Sequence, residues 1–312
     1  MKKINKAQQS RKSRTGVLVL ATLIVLGMLL VLFIPGTQEK ALEIPPYLIR
    51  NETPALIKAV ALGETSRVRS LLDSGAEINR VDEFGTTPLH AAAVTGRENL
   101  VRLLLSRGAS IDARDNDGQT PLYLAVDKMQ PGLVRILLEA GASPLVQTRS
   151  GSTPVTHAVV RGESQIFGML VGRTDTLNVR DNEGSGLLHI AALWGREDLA
   201  EILLKRGLLT ENTNLWGLTA LHLACENRHV FTVRTLLAAK ASLVARDREG
   251  KTPLHWAVIG GHPVVVTMLL EAGASQTADR DGRTPLDLAK QRPRILLQRI
   301  LETRARISEK SP

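Results

Sequence analysis

Aromatic residues are scarce in this 312-residue chain: three Trp, two Tyr and four Phe, 3% in all. Cysteine is scarcer still, since Cys225 stands alone. A lone cysteine excludes an intrachain disulfide and any metal site built from cysteine ligands. The aromatic deficit argues against a β-sandwich or barrel, whose strands draw on aromatic and β-branched residues. An apolar fraction of 43% still provides a core. That core must be aliphatic, with Leu, Ala and Val packed between many small helices. The length allows two ordinary domains or one extended array.

A basic body is also lacking, despite a net charge of +9. Lys2, Lys3, Lys6, Arg11, Lys12 and Arg14 supply +6 at one end, and the stretch from Arg283 onward adds a net +5 at the other. The middle of the chain is therefore close to neutral. Without basic, aromatic-studded faces, nucleic acid is not expected as a partner.

Charge is absent altogether from residues 16–34, "GVLVLATLIVLGMLLVLFI", where Thr22 is the only hydroxyl. As a helix this run is about 28 Å long, close to the hydrocarbon thickness of a bilayer. Pro35 and Gly36 then stop it. The expected layout is a basic cytoplasmic tail over 1–15, a transmembrane signal-anchor helix over 16–34 and a linker over 35–52. A cleaved signal peptide is the alternative. The length of the apolar run and the lack of an A-x-A pattern in "FIPGTQEK" favour an uncleaved anchor. Six Lys/Arg precede the run, against Lys40 and Arg50 soon after it. By the positive-inside rule the N-terminus stays cytoplasmic and the remainder is exported.

That remainder repeats. "GTTPLHAAAVTG" (85–96), "GQTPLYLAV" (118–126), "GSTPVTHAVVRG" (151–162), "GSGLLHIAALWG" (184–195), "GLTALHLAC" (217–225), "GKTPLHWAVIGG" (250–261) and "GRTPLDLAK" (282–290) align. Leu56, Leu89, Leu122, Val155, Leu188, Leu221 and Leu254 follow one another at intervals of 33, and Leu286 comes 32 further on. In most units Thr-Pro starts a helix, because proline in the first turn loses no needed N–H and presets φ. A second helix carries Leu-Leu and ends at Gly75, Gly108, Gly141, Gly207 or Gly273, where a left-handed C-cap is wanted. This pattern closely resembles the ankyrin-repeat family, and the T-P-L-H signature at that period is highly specific. The resemblance implies an all-α solenoid of helix-turn-helix units with β-turn fingers, spanning 53–301 as seven repeats plus a C-terminal capping unit. A basic tail, 302–312, follows. The first unit lacks T-P-L-H and carries Lys58, and the last has Asp287 in place of His, so both look like caps. Two departures fall within 163–187: Gly168 and Gly172 thin the fourth unit's second helix and Thr174 replaces its C-cap Gly, and Gly186-Leu187 stand where Thr-Pro is expected. The array is expected to be least stable there.

Residues with chemistry are explained by the repetition. His90, His189, His222 and His255 recur at one repeat position, about 10 Å apart and too far to share a metal. The resemblance implies that they tie helix starts to neighbouring turns. His229 and His262 sit at the family's common Gly-His position, while His157 is shifted to a position where other units have Ala, Leu, Ile or Trp. "DARDNDG" (112–118) is similar to a calcium loop, but position twelve would be Leu124 in place of a bidentate acid. Asp82, Asp115, Asp181 and Asp247 fit as turn-bonding carboxylates. "NET" at Asn51 matches a glycosylation acceptor. No nucleophile-base order, phosphate loop or metal quartet stands out, so neither enzymatic activity nor a cofactor is expected.

One stretch, "ENTNLWGLTALHLA" from Glu211, places a rare Trp at a turn tip. In the family, partner contacts come from the residues flanking the finger Gly and from the end of the first helix. Carried over, this selects Phe84, Val94, Lys128, Arg149, Arg161, Leu193, Trp194, Leu215, Trp216, Leu218 and Ile259, with Glu83, Thr95, Asn116, Asp117, Val160, Arg248 and Glu249 beside them. Leu193, Trp194, Leu215, Trp216 and Leu218 are expected to lie together as an apolar anchor on the concave side, and Trp256 is expected in the core. The expected function is a membrane-anchored adaptor or scaffold for a protein partner. The alternatives are a regulatory or protective module for an envelope enzyme and a soluble periplasmic protein with a cleaved signal. Composition and anchor together look bacterial.

Overall fold

The computed structural model describes residues 44–172, 177–291 and 294–308. Among the described residues no helix is long and apolar enough to cross a membrane. The proposed anchor at 16–34 lies outside them.

Eight helix pairs make up the array. The first helices are α1 (Ala55–Leu62), α3 (Pro88–Val94), α5 (Pro121–Asp127), α7 (Pro154–Arg161), α9 (Leu187–Leu193), α11 (Ala220–Glu226), α13 (Pro253–Gly260) and α15 (Pro285–Lys290). Their partners are α2 (Thr65–Asp73), α4 (Glu98–Ser106), α6 (Pro131–Glu139), α8 (Ser164–Val171), α10 (Glu197–Lys205), α12 (Val230–Ala238), α14 (Pro263–Glu271) and α16 (Ile295–Ser308). No strand occurs among the described residues, which hold only an isolated bridge between Arg180 and Gly186. The core is mainly aliphatic, as the composition requires: Leu89, Leu122, Val155, Leu188, Leu221 and Leu254 are all buried at the same register. The glycines after the second helices, Gly75, Gly108, Gly141, Gly207 and Gly273, adopt φ between +86° and +97°, the left-handed cap that their spacing implies. The sixth repeat puts Lys240 in that role at φ +59°.

Residues 44–52 depart from the expected linker. Pro46–Ile49 form a 3-10 turn that packs on α1, with Leu48 wholly buried. The Thr53 hydroxyl donates to the Tyr47 carbonyl at 3.1 Å. This segment caps the open end of the first repeat, so the folded unit starts before the first helix.

Four junctions carry a histidine tie beside the apolar packing of their helices. In the second repeat the Thr87 N–H donates to His90 Nδ1 at 3.2 Å, and His90 Nε2–H donates to the Gln119 carbonyl of the third repeat at 3.0 Å. His189 reaches the Leu218 carbonyl, His222 that of Lys251 and His255 that of Arg283 in the same way. Each imidazole must therefore carry its proton on Nε2. Burial lowers the proton affinity of all four, and His222 falls to about 4.

The junction of the fourth and fifth repeats lacks this tie, because Thr156 occupies the histidine position. Its hydroxyl stays within its own repeat, on Thr153 and Ser152. The same junction is thin elsewhere. Helix α8 meets α6 but barely touches α10, and Gly186 offers no hydroxyl to cap α9. Helix α8 is followed by Gly172 in a right-handed conformation; Thr174, which stands at the position of the cap glycines, lies outside the described residues. The first helices of the two repeats still pack together, and side chains that bridge the repeats include the Arg196 guanidinium, which donates to the Val160 carbonyl at 2.6 and 3.0 Å, and Gln147, which donates to the Arg180 carbonyl at 3.2 Å.

Amide exchange should be fastest around 163–187 among the interior repeats. A Cβ added at Gly168 meets no atom within 4 Å, so Gly168→Ala should stabilise the fold by up to about 1 kcal/mol. Uniform protection along the array, or a destabilised Gly168→Ala, would count against the weak junction. A second expectation concerns pH. The folded state holds the four imidazoles neutral, whereas the unfolded chain protonates them near the ordinary value of about 6.5. Their contribution is complete above that pH and is lost as pH falls through each lowered value, to about 4 for His222, with a slope of up to about 1.4 kcal/mol per pH unit for each. Denaturant midpoints from pH 8 to 4.5 test this, and a midpoint that does not move over that range would refute it.

Candidate binding surface

Each finger is a turn held by one acceptor. Asp82 Oδ1 accepts from the N–H groups of Phe84 and Thr86, and Asp115, Asp181, Asp247 and Asp279 repeat the arrangement. The Trp216 finger uses Asn214, whose Oδ1 accepts from Trp216 and Leu218, both at 3.0 Å. An amide there does the work of the carboxylate without its charge. Adjacent fingers are then linked through the backbone: Asn116 to Phe84, Arg149 to Asp117, Leu215 to Glu183, Arg248 to Trp216 and Arg280 to Glu249, each N–H donating to a carbonyl at 2.8–3.0 Å. Between the fourth and fifth fingers the link is weaker, an Asn182 side-chain amide to the Arg149 carbonyl at 3.4 Å.

Trp216 is thus fixed on both sides at a finger tip, yet it remains 53% exposed, as does Leu215. The Leu215 side chain lies over Gly184, where a Cβ would stand 3.0 Å from Leu215 Cγ. The glycine, at φ +73°, leaves room for the leucine as well as making the turn. An exposed, positioned indole supplies a large contact area with little rotamer entropy to lose, and its N–H remains available.

The other expected contacts divide. Leu193 is exposed, and its carbonyl accepts from His229 Nε2–H at 3.0 Å. Trp194, the C-cap of α9, is half-buried against the core. Leu193 and Trp194 sit at the far end of α9 from the fingers, about 10 Å along its seven residues, so the five residues do not form one cluster. Leu218 and Val94 are buried at 9% and 3%, which corrects their assignment to the surface. The Leu218 carbonyl is occupied by His189 and its N–H by Asn214. Lys128 and Arg149 are exposed, and Arg161 and Ile259 are half-buried. Phe84 is covered from one side: Tyr47 meets it edge-on at 5.6 Å and the Arg50 guanidinium lies 5.5 Å over its ring. Arg50 also pairs with Glu83 at 3.0 Å.

Trp256, expected in the core, is only half-buried. Its Nε1–H donates to Asp247 Oδ2 at 2.9 Å, so the indole braces its own finger from the first helix. His157, by contrast, is a hydrogen-bonded, nearly buried residue. Its Nε2 meets Asp127 Oδ1 at 3.0 Å, its Nδ1 meets the Tyr123 hydroxyl at 3.1 Å, and its ring stacks on that tyrosine at 4.5 Å. Burial alone would raise the Asp127 carboxyl, but the His157 hydrogen bond and neighbouring Lys128 draw it down to about 2. The periodicity holds no signal for this network, since Tyr123 and His157 stand at different positions of successive repeats. No cluster of metal-binding side chains occurs among the described residues.

Paired helices, bonded fingers and imidazole ties define a helical repeat solenoid. A family model for ankyrin repeats (3 copies) matches residues 56–148, 129–214, 208–281 and 245–308, and the chain belongs to the ankyrin-repeat family. Among curated relatives it is 32% identical over 112 residues to mouse Rabankyrin-5 and 35% identical over 116 residues to the mouse B-cell lymphoma 3 protein homolog. Each match takes in 35% of this chain, and 10% and 26% of those proteins respectively. Among solved structures, the human ASB11 ankyrin repeat domain is 26% identical with a TM-score of 0.62, covering 71% of this chain and 99% of that one. The ankyrin repeat domain of Bcl-3, described as a unique member of the IkappaB protein family, is 31% identical with a TM-score of 0.61, covering 70% and 100%. Ankyrin repeats generally mediate protein–protein interaction.

Proposed function

We propose that this chain is a non-enzymatic, membrane-anchored adaptor that holds a protein partner at the fingers of its fifth and sixth repeats. The observation that carries the reading is Trp216, a rare aromatic held rigidly by Asn214 and Arg248 and still half exposed. Leu215 beside it extends the apolar area. Lys128 and Arg149 add positive charge on the preceding repeats. Anchoring rests on the uncharged run at 16–34 and the six basic residues before it. In a bacterial cell this places the array in the periplasm, on the outer side of the inner membrane. The partner is then a protein of that compartment.

A pulldown with the full chain against envelope extract identifies the partner. Trp216→Ala should then weaken binding by about thirtyfold, or about 2 kcal/mol, as for a buried aromatic hot spot, with little change in folding stability. Trp194→Ala should instead lower stability, because that indole packs on the core. Unchanged affinity for Trp216→Ala would rule out the finger as the anchor. Orientation is tested separately with a C-terminal reporter that works only outside the cytoplasm. It should be active, and activity of a cytosol-only reporter would reverse the topology.

A further inference from the structure

The second helices change character along the array. At their second position the first five repeats carry Ser66, Asn99, Gly132, Gln165 and Asp198. The last three carry Phe231, Val264 and Leu296, which are 60%, 50% and 58% exposed. Since the spacing is one repeat, roughly the 10 Å separation of packed helices, the three side chains form a row, and Ile295 extends it. All start their helices, just after the turn that leaves the first helix. The row therefore lies at the edge opposite the fingers, which join the other ends of the same helices.

Its charge has one dominant sign. Arg228 and Arg234 stand at the start of α12, with Glu226 half-buried at the end of α11, whereas Lys240 and Arg246 belong to the finger side, where Arg246 donates to the Gly250 and Ala278 carbonyls. Helix α16 adds the exposed Arg299, about one turn from its start. Arg234 lies over the Phe231 ring at 5.4 Å, which keeps a cation beside the apolar tip.

We propose that this edge of repeats six to eight docks on an anionic lipid surface. Isolated bulky apolar side chains about 10 Å apart, with arginines between them, suit the boundary between headgroups and acyl chains. There the tips enter the apolar layer and the guanidiniums meet lipid phosphates. A protein partner would call for a packed apolar centre, which single tips spaced one repeat apart do not make. In this attitude the fingers, Trp216 included, point away from the lipid and stay free to bind. The proposal is independent of the apolar run at 16–34.

Cys225 is wholly buried, so a fluorophore sensitive to polarity can be attached to Val264→Cys in the full chain, with Ser66→Cys as the control. The probes are vesicles of phosphatidylcholine, alone or mixed with phosphatidylglycerol. Emission from position 264 should move to the blue and brighten with the mixed vesicles only, while position 66 should not respond. Arg234→Gln with Arg299→Gln should shift the docked equilibrium by roughly thirtyfold, at about 1 kcal/mol per arginine. The same emission in both vesicle types, or an equal response at position 66, would overturn the proposal. So would a shift that needs no lipid: one that grows with protein concentration assigns the row to a second copy, and one produced by lipid-free extract assigns it to a protein. Failure of the anchor has a different signature, because the chain would then not sediment with phosphatidylcholine vesicles while the response at 264 to the mixed vesicles persists.

Discussion

The array depends on an imidazole with its two nitrogens in different repeats. In the repeats headed by His90, His189, His222 and His255, Nδ1 accepts at the start of its own helix while Nε2–H donates to the next finger. One neutral ring satisfies an orphan helix N–H and a finger carbonyl together. No other common side chain offers an acceptor and a donor in that fixed, nearly opposed geometry. Serine or threonine can cap the helix but cannot reach the neighbour, as Thr156 shows. Fold and finger position are therefore coupled, and the surface presented by the fingers is only as rigid as this row of rings.

Stability in such an array is close to a sum of nearest-neighbour terms, so the fourth junction cannot borrow strength from the others. Four independent deficits meet there: no bridging imidazole, a lengthened finger link, a thin contact between second helices and no threonine cap on α9. Arg196 offsets part of this by capping the end of α7 from the next repeat. Arg228 and Arg294 do the same for α13, from before and after it. These cations occupy the ends of first helices, where carbonyls lack partners and the helix dipole is negative.

Much of this was legible in the sequence, because a 33-residue period fixes which residues are equivalent. The eight units and the left-handed glycines follow from equivalence, the turn carboxylates and the thin stretch near Gly168 from residue type at those positions, and the imidazole ties from the resemblance to the ankyrin-repeat family. What equivalence leaves open is how deeply a given side chain is covered. Val94 matches the exposed Lys128 to within one position, yet the small Ala91–Ala93 face draws it into the core. Phe84 has the position of a finger contact, but Tyr47 and Arg50 come from a segment outside the repeat and cover it. Trp256 shares its register with Ile190 and Leu223, both nearly buried, but its indole is longer and carries a donor that finds Asp247. The row at Phe231, Val264 and Leu296 could be read from the period once the second helices' first residues are known, since it shows only as a change between equivalent positions.

The thin junction also gives the molecule a mechanical character. A chain held at one end and loaded at the other passes tension through its repeat interfaces in series, so extension begins where the least work separates two neighbours. Repeats one to four and five to eight then behave as two springs joined by a link that opens first. The Trp216 finger lies on the far spring, one repeat beyond that link, so under load the array lengthens before its exposed indole is disturbed.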